Sequence, residues 1–204
     1  MNIKLTLKTI GQVLLVESAL MLIPLAVALL CGGGDAMAIL ISLVITAAAG
    51  ELLSLLKPRS DNLRAREGFA VVALGWILVS FFGCLPFRLH GCIPKLVDAY
   101  FETVSGFTTT GATLLTDVEV LPKGLLFWRS FTHWVGGMGV LVFLLSLLPL
   151  TGGSHVNLMK AESPGPQVDK LVPKVQSTAK ILYGIYFGLT VIEFVFLLFG
   201  GMPV

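Results

Sequence analysis

Residues Asp98–Thr113 read DAYFETVSGFTTTGAT, and this stretch decides how the rest of the chain is understood. It lies between two long apolar runs, Gly68–Pro86 and Gly124–Leu150. It is too short and too polar to cross a bilayer, which takes about 20 apolar residues in a helix. Its first half belongs to a segment, residues 94–106, in which Leu96, Val97, Tyr100, Phe101 and Val104 recur at three- and four-residue steps. That is the period of one helical face. The second half, Phe107–Thr113, is rich in hydroxyls around Gly111. A half-length helix followed by an extended Thr/Gly segment, set between two spanning helices, is the layout of a re-entrant pore loop. The expectation is a pore helix over about 94–106 and a selectivity-filter segment over about 107–113.

The bulk composition agrees. The chain has 204 residues, 55% hydrophobic and 13% charged, with a mean hydropathy of +0.91. A soluble domain carries roughly 25% charged residues, so an integral membrane protein is indicated. The apolar runs are long and continuous rather than short and alternating, which selects spanning helices over a barrel. A net charge of +2 gives no footprint for nucleic acid. Cys31, Cys84 and Cys92 form no C-x-x-C pair; Cys84 and Cys92 are near enough to approach, but a lone cysteine in such a chain is ordinarily a small hydrophobe.

Working outward, five spanning helices are expected, at about Ile10–Leu30, Ala36–Leu56, Gly68–Phe87, Gly124–Leu150 and Thr178–Phe199. Pro24 should kink the first, which reads as an uncleaved helix rather than a signal peptide. The expected domains are a helix pair with a basic linker (1–67), a helix–pore loop–helix unit (68–150), a polar linker made irregular by its prolines (151–177) and one further helix (178–204). With the N-terminus in the cytoplasm, the inner segments hold ten Lys and Arg and the outer ones three, Arg88, Lys95 and Lys123. The positive-inside rule therefore puts Asp98–Thr113 on the outer side.

A cation entering the bilayer must exchange its water shell for comparably polar groups, and backbone carbonyls provide them without a fixed charge. Gly111 allows the backbone angles this requires. Thr108, Thr109, Thr110, Gly111 and Ala112 are the candidate filter residues. Asp98 and Glu102 lie one turn apart on the expected pore helix; they either concentrate cations at the mouth or stabilise the helix N-terminal half.

The residues FETVSGFTTTGATLL, followed by FWRSFTHWVGGMGVLVFLLSLLP and KAESPGPQVDKL, closely resemble the TrkH-type membrane subunits of the Trk/Ktr/HKT potassium transporter family, over nearly the whole chain. The resemblance implies four helix–pore loop–helix repeats arranged as a pseudo-tetramer around one pore, preceded by an extra helix pair. It implies K⁺ as the transported ion, bound by carbonyls of Thr109 and Thr110, with Gly111 as the filter glycine. Serine at that glycine accompanies Na⁺ preference in HKT relatives, so Gly111 argues for K⁺. It further implies a homodimer of the full-length subunit in the cell membrane and a TrkA-type cytosolic nucleotide-binding partner. This sequence holds one filter segment where the family uses four, so a fragment of a longer chain is expected, one that does not conduct alone.

Other residues carry less. Glu17, Glu51 and Glu193 fall in expected helices, where a carboxylate is costly and a default functional candidate, or else a hydrogen-bonded packing residue. Gly136, Gly137 and Gly139 lack the Lys-Ser/Thr of a phosphate loop and suit close helix packing behind the pore loop. Trp128, Arg129 and Trp134 read as anchors at the membrane interface, with Trp134, which lies deeper, alternatively packing against the pore helix. His90, His133 and His155 lie in three separate elements without metal-site spacing. No Ser/His pair, aspartate dyad or metal-ligand set appears, so neither enzymatic activity nor a cofactor is expected. A non-conducting scaffold subunit is the alternative.

Overall fold

The structure, a computed structural model, describes residues 3–58, 65–139 and 172–200. Over these residues it is all-helical: α1 Ile3–Leu20, α2 Leu22–Cys31, α3 Ala36–Ser54, α4 Ala65–Gly83, α5 Leu85–His90, α6 Leu96–Phe107, α7 over residues 123–139 and α8 Val172–Phe199. Four stretches are long and apolar enough to cross a membrane: Ile3–Cys31, Ala36–Ser54, Gly68–His90 and Lys180–Phe199. The second half of the expected fourth helix, residues 140–150, lies outside the described residues. So do most of the basic linker, His155, Pro164 and Pro166.

The chain divides into two compact units, Met1–Gly137 and Met138–Val204. In the second, α8 begins at Val172, inside the segment expected to be irregular. Pro173 is its second residue, where a missing N–H costs no helical bond. Apolar side chains from Ile181 to Phe199 are exposed along it, as lipid or further protein would require.

In the first unit, proline explains the breaks. Pro24 has no N–H, so the carbonyl four residues earlier, on Leu20, loses its donor. Helix α1 ends at Leu20, one turn before the proline, and the ladder resumes across the break with Met21 N–H to Glu17 O at 3.0 Å and Leu25 N–H to Met21 O at 3.2 Å. Likewise Pro86 sits in the first turn of α5, just after α4 stops at Gly83. Glycines also set a close helix contact. A Cβ on Gly11 would lie 2.7 Å from the Gly50 carbonyl, and one on Gly50 would lie 2.9 Å from the Gly11 carbonyl, so α1 and α3 cross backbone to backbone.

The core gathers Met21 from the α1–α2 junction, Ile39 from α3, Phe87 from α5, Phe107 from α6, and Leu125 and Trp128 from α7. The three cysteines are free thiols. Burial pushes the Cys92 thiol above its ordinary range, so it remains a protonated donor, to Phe87 O at 3.4 Å. Asp35, in the α2–α3 turn, is 0% exposed and accepts the Leu125 N–H at 2.9 Å. It thus caps the first turn of α7 from 90 residues away, joining the N-terminal helix pair to the segment that follows the Thr/Gly loop. Asp35→Ala is expected to lower stability by about 1 kcal/mol, the usual cost of a lost N-cap. Thermal unfolding in detergent measures it.

Candidate functional site

Helix α6 ends because the chain after it folds back onto its last carbonyls. Thr108 N–H bonds to Val104 O at 2.9 Å, Thr109 N–H to Gly106 O at 2.9 Å and Thr110 N–H to Ser105 O at 3.0 Å. Those carbonyls are otherwise orphaned at a helix C-terminus. The bonds also orient the loop. A trans peptide sets its C=O opposite its N–H, and no peptide in the described residues is cis. With the N–H groups of Thr109 and Thr110 aimed at α6, the carbonyls of Thr108 and Thr109 point away from it.

The turn back requires unusual angles. Thr109 has φ 56° and Gly111 has φ 76°. Among the described residues Thr109 is the sole non-glycine with positive φ. A β-branched residue there is a strained outlier, at a cost of order 1–3 kcal/mol, which persists only where the surroundings over-determine it. Here they do. Thr108 Oγ1 donates to Val104 O at 2.7 Å and lies 2.9 Å from Thr110 Oγ1. Ser105 Oγ donates to Ala112 O at 2.6 Å, which turns that carbonyl back toward α6. Of the five candidate carbonyls, Ala112 is therefore the one engaged behind the loop.

Glu102 is buried, with 2% of its surface exposed. Its carboxylate accepts the Thr113 hydroxyl at 2.8 and 3.1 Å and the Leu114 N–H at 3.1 Å. The Arg129 guanidinium donates to it through Nε at 2.7 Å. This geometry places Glu102 inside the fold rather than at an open surface. Asp98 is half-buried in the first turn of α6, where a carboxylate complements the helix dipole.

Two residues expected at the membrane interface are interior. Arg129 pairs with Glu102, and Trp128 is 1% exposed, its indole N–H donating to Gly83 O at 2.9 Å. Trp128 also meets the Phe107 ring edge-on at 6.2 Å between centroids. Neither partner is near in sequence, so the aromatic and cationic character alone could not distinguish core from interface. Gly136 packs closely, as expected. A Cβ on Gly136 would run into the Phe107 carbonyl, and one on Gly106 into Thr132 Oγ1, so α7 lies directly behind the start of the loop. Glu17 is 3% exposed, and neither carboxylate oxygen has a hydrogen-bond partner among the described residues. Glu51 and Glu193 are exposed. No cluster of three His, Cys, Asp or Glu suited to a metal exists among the described residues.

Comparison with known proteins converges on one family. The family model for TrkH, a cation transport protein, matches residues 35–201. The Trk system potassium uptake protein TrkH of Halomonas elongata is 39% identical over 194 residues, 94% of this chain and 40% of that protein. The Escherichia coli K12 protein of the same name is 37% identical over 206 residues, 99% of this chain and 42% of that protein. The crystal structure of the potassium transporter TrkH from Vibrio parahaemolyticus superposes with a TM-score of 0.82 at 31% identity, covering 100% of this chain and 41% of that one. The chain thus spans about 40% of the length of the curated relatives it matches. It is a multi-pass helical membrane protein that belongs to the TrkH family of cation transport proteins.

Proposed function

We propose that this chain takes part in potassium uptake across the cell membrane and supplies one of four filter segments of a Trk-type channel-transporter. In this reading α6 is a re-entrant pore helix, and residues 108–111 line the ion path with backbone carbonyls. Thr109 and Thr110 bind K⁺, Thr108 and Gly111 flank them, and the Ala112 carbonyl is held behind. The observation that carries the reading is the pair of positive φ angles at Thr109 and Gly111, strained at Thr109 and permitted by glycine at 111. An outlier at a β-branched residue, over-determined by its neighbours, marks a functional backbone. The outward carbonyls of Thr108 and Thr109 give it a purpose, since carbonyls replace an ion's water shell. The partly negative C-terminal end of α6 adds a favourable field for a cation. The names of the relatives supply the ion.

The remaining architecture follows the same reading. Five crossings, with the N-terminus cytoplasmic, put the loop on the outer face where K⁺ enters. Four such repeats in a complete subunit close the ring pseudo-fourfold. The complete subunit pairs as a homodimer and docks a TrkA-type nucleotide-binding partner on its basic inner loops. Asp98, half-buried, remains the candidate for drawing cations to the mouth.

Gly111 provides the test. Its φ of 76° strains any L side chain, although a Cβ there would meet nothing within 4 Å among the described residues. In cells lacking other K⁺ uptake, the complete subunit carrying Gly111→Phe is expected to lose growth at low K⁺ while reaching the membrane in normal amounts. Gly111→Ser is expected to admit Na⁺. Undiminished K⁺ uptake by Gly111→Phe would support a non-conducting scaffold instead.

A further inference from the structure

We propose that the Glu102–Arg129 ion pair, acting through the Thr113 hydroxyl and the Leu114 amide, is the positioning element that sets ion selection by fixing the far end of the 108–113 loop. The inference rests on that loop lining the ion path. The near end of the loop is fixed by backbone bonds to the last turn of α6. The far end has no secondary structure and is exposed from Ala112 to Leu114. It is held by two side chains of α6, Ser105 and Glu102. Residues three apart share one helical face, so consecutive loop residues are bound along a single line. Ser105 takes the Ala112 carbonyl, and Glu102 takes Thr113 Oγ1 and Leu114 N.

A neutral side chain could supply one acceptor, whereas the carboxylate serves three donors at once. Arg129 supplies the ionic partner that a buried carboxylate needs. The pair is 15% and 1% exposed at its side chains, with Nε–Oε1 at 2.7 Å. Charge-assisted bonds of this kind are roughly twice as strong as neutral ones. They stiffen a segment whose carbonyl spacing decides which bare ion is well coordinated. Thr113, Glu102 and Arg129 come from the loop, α6 and α7, so the brace also references the loop to the helix behind it.

The experiment compares wild type, Glu102→Gln, Thr113→Val and Thr113→Ser in the complete subunit. It measures both the amount in the membrane and the ratio of K⁺ (as Rb⁺) to Na⁺ uptake. Glu102→Gln is expected to lower the ratio on the order of tenfold. Thr113→Val, which keeps the ion pair and the side-chain shape but loses the hydroxyl, lowers it less. Thr113→Ser, which keeps the hydroxyl, restores it. A merely structural brace would change the amount and leave the ratio unmoved; unchanged ratios in both Glu102→Gln and Thr113→Val overturn the inference. Should Glu102→Gln fail to accumulate, the Val-against-Ser comparison at exposed Thr113 decides alone. A wild-type subunit without K⁺-selective uptake refutes the filter reading itself, which separates the two failures.

Discussion

Arg129→Ala is expected to destabilise the first unit by about 3–5 kcal/mol, the range found when one partner of a buried ion pair is removed. The reason is the residue left behind. Glu102 is 2% exposed and would be left as a buried carboxyl without its ionic partner, bonded only to Thr113 and Leu114. Replacing both members with apolar residues of similar volume, as in Arg129→Met with Glu102→Leu, should recover a large part of the loss, because no stranded charge remains. That non-additivity identifies the mechanism. Thermal unfolding of the purified protein in detergent, wild type against single and double variants, measures it. A loss within about 0.5 kcal/mol for Arg129→Ala, typical of a surface substitution, would return Arg129 to the interfacial role its sequence position suggested.

Gly136→Ala is the second large effect. Its Cβ would overlap the Phe107 carbonyl oxygen and lie 2.7 Å from the Phe107 carbonyl carbon and 2.9 Å from its Cα. These are backbone atoms at the end of α6 and cannot rotate aside. Overpacking typically costs about 1–3 kcal/mol, occasionally more, and this site should fall at or above the top of that range. The displacement would reach Thr108 directly, so ion selection should suffer along with stability. Gly75→Ala is the contrasting control. It also lies inside a helix, α4, but its Cβ would meet nothing within 4 Å among the described residues. There the helical preference for alanine over glycine, worth about 0.8–1.0 kcal/mol, should appear as a gain. Unfolding midpoints that move the same way in both variants would contradict the packing described for Gly136.

Much of this was legible in the sequence, and the division follows a physical line. Helical period, hydrophobic length and glycine or proline chemistry are local properties. They located the half-length helix within two residues of Leu96–Phe107, foretold a kink from Pro24 and assigned Gly136 to close packing. Pairings across the fold are not local. Glu102 read as a pore-mouth or helix-dipole carboxylate because Arg129, 27 residues on, had no reason in sequence to be its partner. Trp128 looked interfacial because its acceptor, Gly83 O, lies 45 residues back. Asp35 drew no functional notice, since the amide it caps is on another helix entirely. At the loop, residue types revealed which segment matters. The direction of each carbonyl needed the hydrogen-bond pattern, which sets Ala112 apart from Thr108 and Thr109.

The central claim is that the carbonyls after α6 line an ion path. The most direct measurement is anomalous diffraction from crystals of the complete subunit grown with Tl⁺, a K⁺ substitute with a strong anomalous signal. A Tl⁺ peak in coordinating contact with the carbonyls of Thr109 and Thr110, on the side facing away from α6, is the predicted result. Peaks confined to other regions of a Tl⁺-loaded subunit, with those carbonyls facing protein, would contradict it.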